Sequence, residues 1–195
     1  MISRRKFIRW LPDPASEPTT TIVLTSPQDR FVDLRIISPT SLDWAIAGTA
    51  SSTTVNGIRH STWSHWIDSK IVDPEGVSDE GDMFPHEKGT LEKGRMVNPA
   101  TGKDAAYEEL WDDVDAKGGC LVLKLERDGV RGMCIKLGGL MQSLVREGEQ
   151  VTLERWEEGK KTVRMGEREL PGWDVEGSLG EVFKVGDDEW EVVEC

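Results

Sequence analysis

The feature that most constrains this chain is the spacing of its apolar residues, which recur at every second position in short runs. Thr21-Ile22-Val23-Leu24-Thr25 and Phe31-Val32-Asp33-Leu34-Arg35-Ile36-Ile37 are two such runs, joined by Ser26-Pro27-Gln28-Asp29. A period of two puts alternate side chains on opposite faces of an extended strand. Pro, Asp and Gly between the runs supply turn chemistry. Leu42 to Thr49 continues the series, and Leu121, Leu123 and Leu125 alternate with Val122, Lys124 and Glu126. Asp128-Gly129 marks a hairpin before Val130 to Leu137. Val151 to Trp156, Glu181 to Val185 and Glu189 to Val193 complete the pattern, punctuated by Glu158-Gly159 and Gly186-Asp187-Asp188. Short strands with turns every 8–12 residues read as an all-β sandwich or barrel.

The first strand is expected near Arg4 to Trp10, with Phe7 and Trp10 as buried anchors and the arginines solvated. A twin-arginine export signal does not follow from Arg4-Arg5, because the next residues are broken by Pro12, Pro14 and Pro18 where an apolar stretch is required. Tyr107, Leu110, Trp111 and Val114 fall at helical spacing, after a Thr101-to-Asp104 start that resembles a capping box. Six acids and no base lie between Asp104 and Asp115. This segment reads as a short acidic connector, helical in part, between two β units spanning 1–115 and 116–195. Asp73 to Gly94, rich in Gly, Pro and charge, reads as a long loop with one hairpin. Val32-Asp33-Leu34-Arg35 before Trp44 to Gly48 echoes Leu123-Lys124-Leu125-Glu126 before Cys134 to Gly138, a faint sign of duplication.

Composition matters for partners. Acids outnumber bases 36 to 24, which argues against binding a phosphate backbone, so no nucleic-acid partner is expected. No apolar run approaches the ~20 residues of a membrane helix, so no membrane insertion is expected. Cys120, Cys134 and Cys195 are odd in number and carry no Cys-x-x-Cys pair, and neither Asn56 nor Asn98 opens a glycosylation site. Both facts favour a reducing interior.

Catalytic and metal motifs are missing. Gly102-Lys103 lacks the Gly-x4-Gly-Lys spacing, and Asp104 replaces the hydroxyl that would meet magnesium. His60, His65 and His86 have no His-x3-His or cysteine pair to begin a zinc site. Ser64, Asp82 and His86 can be drawn as a triad, but no Gly-x-Ser-x-Gly elbow activates a serine. The acid-primed hydroxyls Thr20, Ser78, Thr90 and Thr152 suit an acid-directed kinase, yet so acidic a chain produces them by chance. No enzyme activity, cofactor or metal is expected.

The tryptophans are the best chemical clue. Trp44, Trp63 and Trp66 share one short window, and an indole can line an apolar cavity while offering an N–H donor. With His65 they are candidates to line a pocket in an N-terminal barrel. His65 beside Trp63 is equally suited to a packed position bonded to a backbone group. Small barrels are usually filled by side chains, so a full and a hollow interior are both open.

Several runs resemble one fungal family of uncharacterised proteins, named for interacting with a casein kinase I. They are Asp43-Trp44-Ala45-Ile46-Ala47-Gly48-Thr49, Trp63-Ser64-His65-Trp66-Ile67-Asp68, Gly81-Asp82-Met83, Glu92-Lys93-Gly94-Arg95-Met96, Tyr107-Glu108-Glu109-Leu110-Trp111 and Trp190-Glu191-Val192. The resemblance implies two tandem antiparallel lipocalin-like, calycin-like β-barrels in a cytoplasmic and nuclear protein. It implies a non-enzymatic interaction module for a casein kinase I, to which Glu108, Glu109, Asp112 and Asp113 are the candidate acidic surface. The alternative is a carrier of a small apolar ligand in the N-terminal barrel. Lipocalins carry Gly-x-Trp on the first strand, and no tryptophan here has glycine two residues before it, so their ligand chemistry is analogy only.

Overall fold

The computed structural model describes residues 1–195 and contains strands and turns but no helix. The first eight strands are β1 (Ile2–Trp10), β2 (Thr20–Thr25), β3 (Arg30–Ser38), β4 (Ser41–Val55), β5 (Ile58–Asp68), β6 (Ser78–His86), β7 (Gly89–Asn98) and β8 (Lys103–Val114). Each pairs antiparallel with its sequence neighbours, and β1 pairs with β8, so the sheet closes into an up-and-down barrel. Closure removes the free edges that would otherwise recruit other strands.

Seven further strands follow: β9 (Cys120–Arg127), β10 (Val130–Leu137), β11 (Leu140–Glu147), β12 (Gln150–Glu157), β13 (Lys160–Met165), β14 (Val182–Val185) and β15 (Asp188–Glu194). Their order is β13-β12-β11-β10-β9-β15-β14, and β13 does not meet β14. The expected second barrel is therefore an open sheet. Both of its faces are covered, while β13 and β14 remain as edge strands. One face packs on the outside of the barrel, where Ile22, Leu24, Val32, Leu34 and Ala47 meet Val122, Ile135, Leu144 and Leu153 in the largest core. The other buries Leu123, Leu125, Met141, Val145 and Trp190 against Leu170, Trp173 and Val175 of the segment after β13.

This arrangement explains β3. Val32, Leu34 and Ile36 point outwards, yet they are buried under the C-terminal sheet. Phe31, Asp33 and Arg35 point into the barrel and are buried as well. Polar side chains from the sheet fasten the two units. Gln142 donates to the carbonyls of Ile22 and Val32 at 3.0 and 2.9 Å. Arg155, 1% exposed, donates to Gln142 Oε1 at 2.8 Å and to the carbonyls of Thr20 and Leu34 at 3.2 and 2.8 Å. Burial pulls the Arg155 guanidinium down to about 10, and the carbonyls supply the acceptors that water no longer can. Arg146 donates to the Asp68 carbonyl. Glu194, near the C-terminus, accepts from Ser26 Oγ, the Gln28 amide and Arg30 at the β2–β3 turn.

Two more expectations are corrected. Asp104 to Asp115 is not a connector or helix: most of it is β8, the strand that closes the barrel. Tyr107 and Trp111 face inwards, whereas Leu110 faces out opposite Phe7 and Leu91, so the helical stripe mixes the two faces of one strand. Pairing on both sides over Tyr107–Trp111 gives the middle of the segment ladder partners for its backbone groups, which a short exposed helix cannot match. Asp73 to Gly94 is mostly β6 and the first half of β7 rather than loop; its charges alternate between barrel interior and solvent.

Candidate functional site

The barrel is hollow at one end. A cavity of about 200 Å³ lies among strands β1 to β8. Its rim is formed where β1 begins, β2 ends and β8 ends: Met1, Thr25, Asp29 and Asp113. Asp113 accepts from Ser3 Oγ and Thr90 Oγ1, both at 2.6 Å. One step inwards comes an apolar wall that includes Val23, Phe31, Ile46, Trp63 and Trp111. Beyond it lies a charged layer containing Asp33, Arg35, Glu92 and Glu109.

The charged layer is organised by register. Glu92 and Glu109 stand directly opposite each other on β7 and β8. Glu109 takes the cations: Arg5 Nη1 lies 2.5 Å away and Arg35 Nη1 3.6 Å away. Glu92 instead accepts from two neutral donors, Tyr107 Oη at 2.6 Å and Trp111 Nε1 at 2.9 Å. Burial, reinforced by the neighbouring Glu109 charge, pushes the Glu92 carboxyl up to about 8. Burial and Glu92 together hold the Tyr107 phenol above its usual range, so it stays a neutral donor. Gly94 makes this geometry possible: a Cβ there would lie 2.5 Å from the Tyr107 ring.

Asp33 is the one incomplete member. Its Oδ2 accepts from Arg35 Nε at 2.9 Å, while its buried Oδ1 has no hydrogen-bond partner. The Asp33 side chain is only 6% exposed. Arg35 is held between carboxylates, its Nε bonded to Asp33 and its Nη1 3.6 Å from Glu109, with the Trp44 ring 5.0 Å from its Cζ.

Of the four residues expected to line a pocket, Trp63 lines this cavity. Trp44 and His65 sit nearer the other end of the barrel, in an edge-to-face pair with centroids 5.9 Å apart. Trp44 Nε1 donates to Asp68 Oδ1 at 2.9 Å. His65 bonds carboxylates rather than the expected backbone group: Nδ1 is 2.9 Å from Asp68 Oδ2, and Nε2 stands 3.3 Å from Asp79 Oδ2 without hydrogen-bond alignment. Burial opposes charge on His65, but the two carboxylates outweigh it and raise the imidazole to about 9. Trp66 lies outside. A bulge between Ala47 and Gly48 leaves it unpaired opposite β4, and it packs on the core shared with the sheet, under Lys124.

The four expected surface acids do not share a face. Glu109 is inside the barrel and Asp113 is at its rim. Glu108 is on the outer face, 6% exposed, paired with Arg9 and with Lys93 at 3.1 Å. Asp112 pairs with Lys6 at 2.7 Å. Alternation along a strand separates residues that a helix would have brought together. Arg5, expected in solvent with its neighbours, is likewise buried, held by Glu17, Thr19 and Glu109.

The residues that build the charged layer were missed in the sequence because an alternating polar face ordinarily means solvent. The available signal was Asp33 and Arg35 between Phe31 and the outward Val32, Leu34 and Ile36.

The fold and the cavity define a class: an eight-stranded up-and-down barrel with a charged interior, capped on its outer face by an open antiparallel sheet. Within that class the chain belongs to the Protein HRI1 family, whose model it matches over residues 1–194. Among solved structures, it is similar to the uncharacterised protein YLR301w from Saccharomyces cerevisiae, with a TM-score of 0.80 at 17% identity, covering 99% of this chain and 97% of that one. Identity that low carries the fold alone. No curated protein matches the chain.

Proposed function

We propose that the protein is a non-enzymatic binding protein whose barrel takes up one small molecule, in the manner of a lipocalin-like carrier. The observation that carries this reading is the cavity of about 200 Å³ bounded by Phe31, Trp63 and Trp111 on one side and Asp33 and Glu109 on the other. It is smaller than the roughly 300–1,000 Å³ of drug-sized sites, so the ligand is a compact molecule rather than a long acyl chain. The sequence led to an apolar ligand, whereas Asp33 and Glu109 in the lining favour one with a polar end. A cytoplasmic setting accompanies the proposal: Cys120, Cys134 and Cys195 are free thiols, and burial pushes the first two up to about 11 and about 12, into the unreactive range.

Docking of a casein kinase I, the partner implied by the resemblance, would find little of the expected acidic surface: Glu108 and Glu109 are buried in ion pairs and Asp113 bonds Ser3 and Thr90 at the rim, which leaves Asp112 on the outer face. The cavity is therefore the better-supported site.

The test is ligand-observed NMR of the full chain with indole, phenol and 2-phenylethylamine, repeated on Ala50→Trp. Ala50 lines the cavity, and an indole there would fill it. Binding by the unmutated chain that disappears in a folded Ala50→Trp supports the reading. Silence with all three fragments, or equal binding by Ala50→Trp, contradicts it.

A further inference from the structure

The geometry points to a ligand class: a small organic cation, a primary ammonium or amidinium on a flat apolar body, whose charged head donates to Asp33 Oδ1. This inference rests on the cavity being a binding site and names what it takes.

A buried carboxylate oxygen without a donor is costly, and native proteins rarely leave one. Asp33 Oδ1 is such an atom; it is closed off from water while Asp33 as a residue lines the cavity, so a turn of the carboxylate brings it to the ligand. No side chain of the barrel donates to it, and the donors around it are aimed at other acceptors. Arg35 serves Asp33 Oδ2 and Glu109. Tyr107 and Trp111 serve Glu92. Ser3 and Thr90 serve Asp113.

The charge of the lining sets the sign of the ligand. Asp29, Asp33, Asp79, Glu92, Glu109 and Asp113 face Arg35, Arg59 and the N-terminal amine. The amine donates to the Thr25 carbonyl at 2.6 Å, and Arg35 is neutralised as described. Counting also the groups just behind the lining, Arg5 with Glu109 and Glu17 and His65 with Asp79 and Asp68, carboxylates still exceed cations with Glu92 protonated, so an anion is repelled and a neutral donor gains less than a cation. The wall supplies the other half of the recognition. Phe31, Trp63 and Trp111 offer ring faces and edges to a flat apolar body, and aromatic faces attract cations.

Isothermal titration of the full chain near pH 7 separates the possibilities, using 2-phenylethylamine, 2-phenylethanol and 3-phenylpropionate as probes of nearly one shape. The expected result is that the amine binds at least tenfold more tightly than the alcohol and the carboxylate binds weakest. Asp33→Asn should weaken the amine tenfold or more and leave the alcohol unchanged. The amine–alcohol comparison is made on the unmutated chain, so it holds even where Asp33→Asn fails to fold. Alcohol or carboxylate binding equal to the amine, or an unaffected Asp33→Asn, overturns the cationic assignment while the cavity reading survives. Silence of all three probes overturns both.

Discussion

Glu92 and Glu109 face each other across β7 and β8 inside the barrel, and only Glu109 is given cations. Two carboxylates so placed cannot both ionise without cost, and the pair resolves the conflict by dividing roles. Glu109 anchors Arg5 and Arg35, while Glu92 is held by the neutral donors of Tyr107 and Trp111.

That division predicts a pH dependence. The Glu92 pKa is raised from 4.5 to about 8, so its contribution is fully present below about 4.5 and is lost as pH rises towards about 8. The slope is at most about 1.4 kcal/mol per pH unit over that window. Urea unfolding of Glu92→Gln between pH 5 and 8 should show this part of the decline removed, with the unmutated chain losing ground to the variant as pH rises.

His65 predicts a second window. Its pKa is raised to about 9 by Asp68 and Asp79 against the cost of burial. The contribution is fully present below about 6.5 and disappears as pH rises through about 9. His65→Gln should cost about 2–4 kcal/mol at pH 6, because two carboxylates lose a buried cation. The deficit should narrow by pH 10, which equilibrium unfolding at the two pH values measures.

The barrel and the sheet should unfold together, since their largest core is shared. Arg155→Met removes the donor to Gln142 Oε1 and to the carbonyls of Thr20 and Leu34. We expect a loss of about 2–4 kcal/mol by chemical denaturation, with near- and far-ultraviolet dichroism still coincident in the unmutated chain.

Gly94→Ala places a methyl group against the Tyr107 ring. Overpacking of this kind costs about 1–3 kcal/mol and should shift the near-ultraviolet tyrosine signal. Gly119→Ala, where nothing lies within 4 Å of the new Cβ, should stay within about 0.5 kcal/mol. Thermal melts of the two variants make the comparison.

The strand content was legible in the sequence because alternation survives even where both faces are buried, as in Val32 to Ile36. What alternation does not say is which face meets water. On β3 the apolar side lies under the C-terminal sheet and the charged side lies in the barrel, a consequence of long-range packing that no local window contains. The same ambiguity dispersed the acids of β8, where Glu109 turned inwards to Arg5 while Glu108 stayed outside with Arg9. Trp63 reached the cavity as alternation expects. Trp66 did not, because alternation sets it on the face opposite Trp63, and the bulge opposite Gly48 turns Ile67 out beside it towards the sheet core. Gly48 admits the Ser64 carbonyl where a Cβ would stand 1.9 Å from it, and the glycine was the only local trace of that bulge. Asp33 carried no signal as a site residue, since its vacancy exists only once Arg35 and the barrel are in place.

A crystal structure of the full chain grown with 2-phenylethylamine shows at once whether the barrel holds a cation and where. The phenyl ring is expected between Phe31, Trp63 and Trp111, with the amine nitrogen at hydrogen-bond distance from Asp33 Oδ1. An empty barrel beside saturating amine, or the amine bound only outside it, would contradict the account.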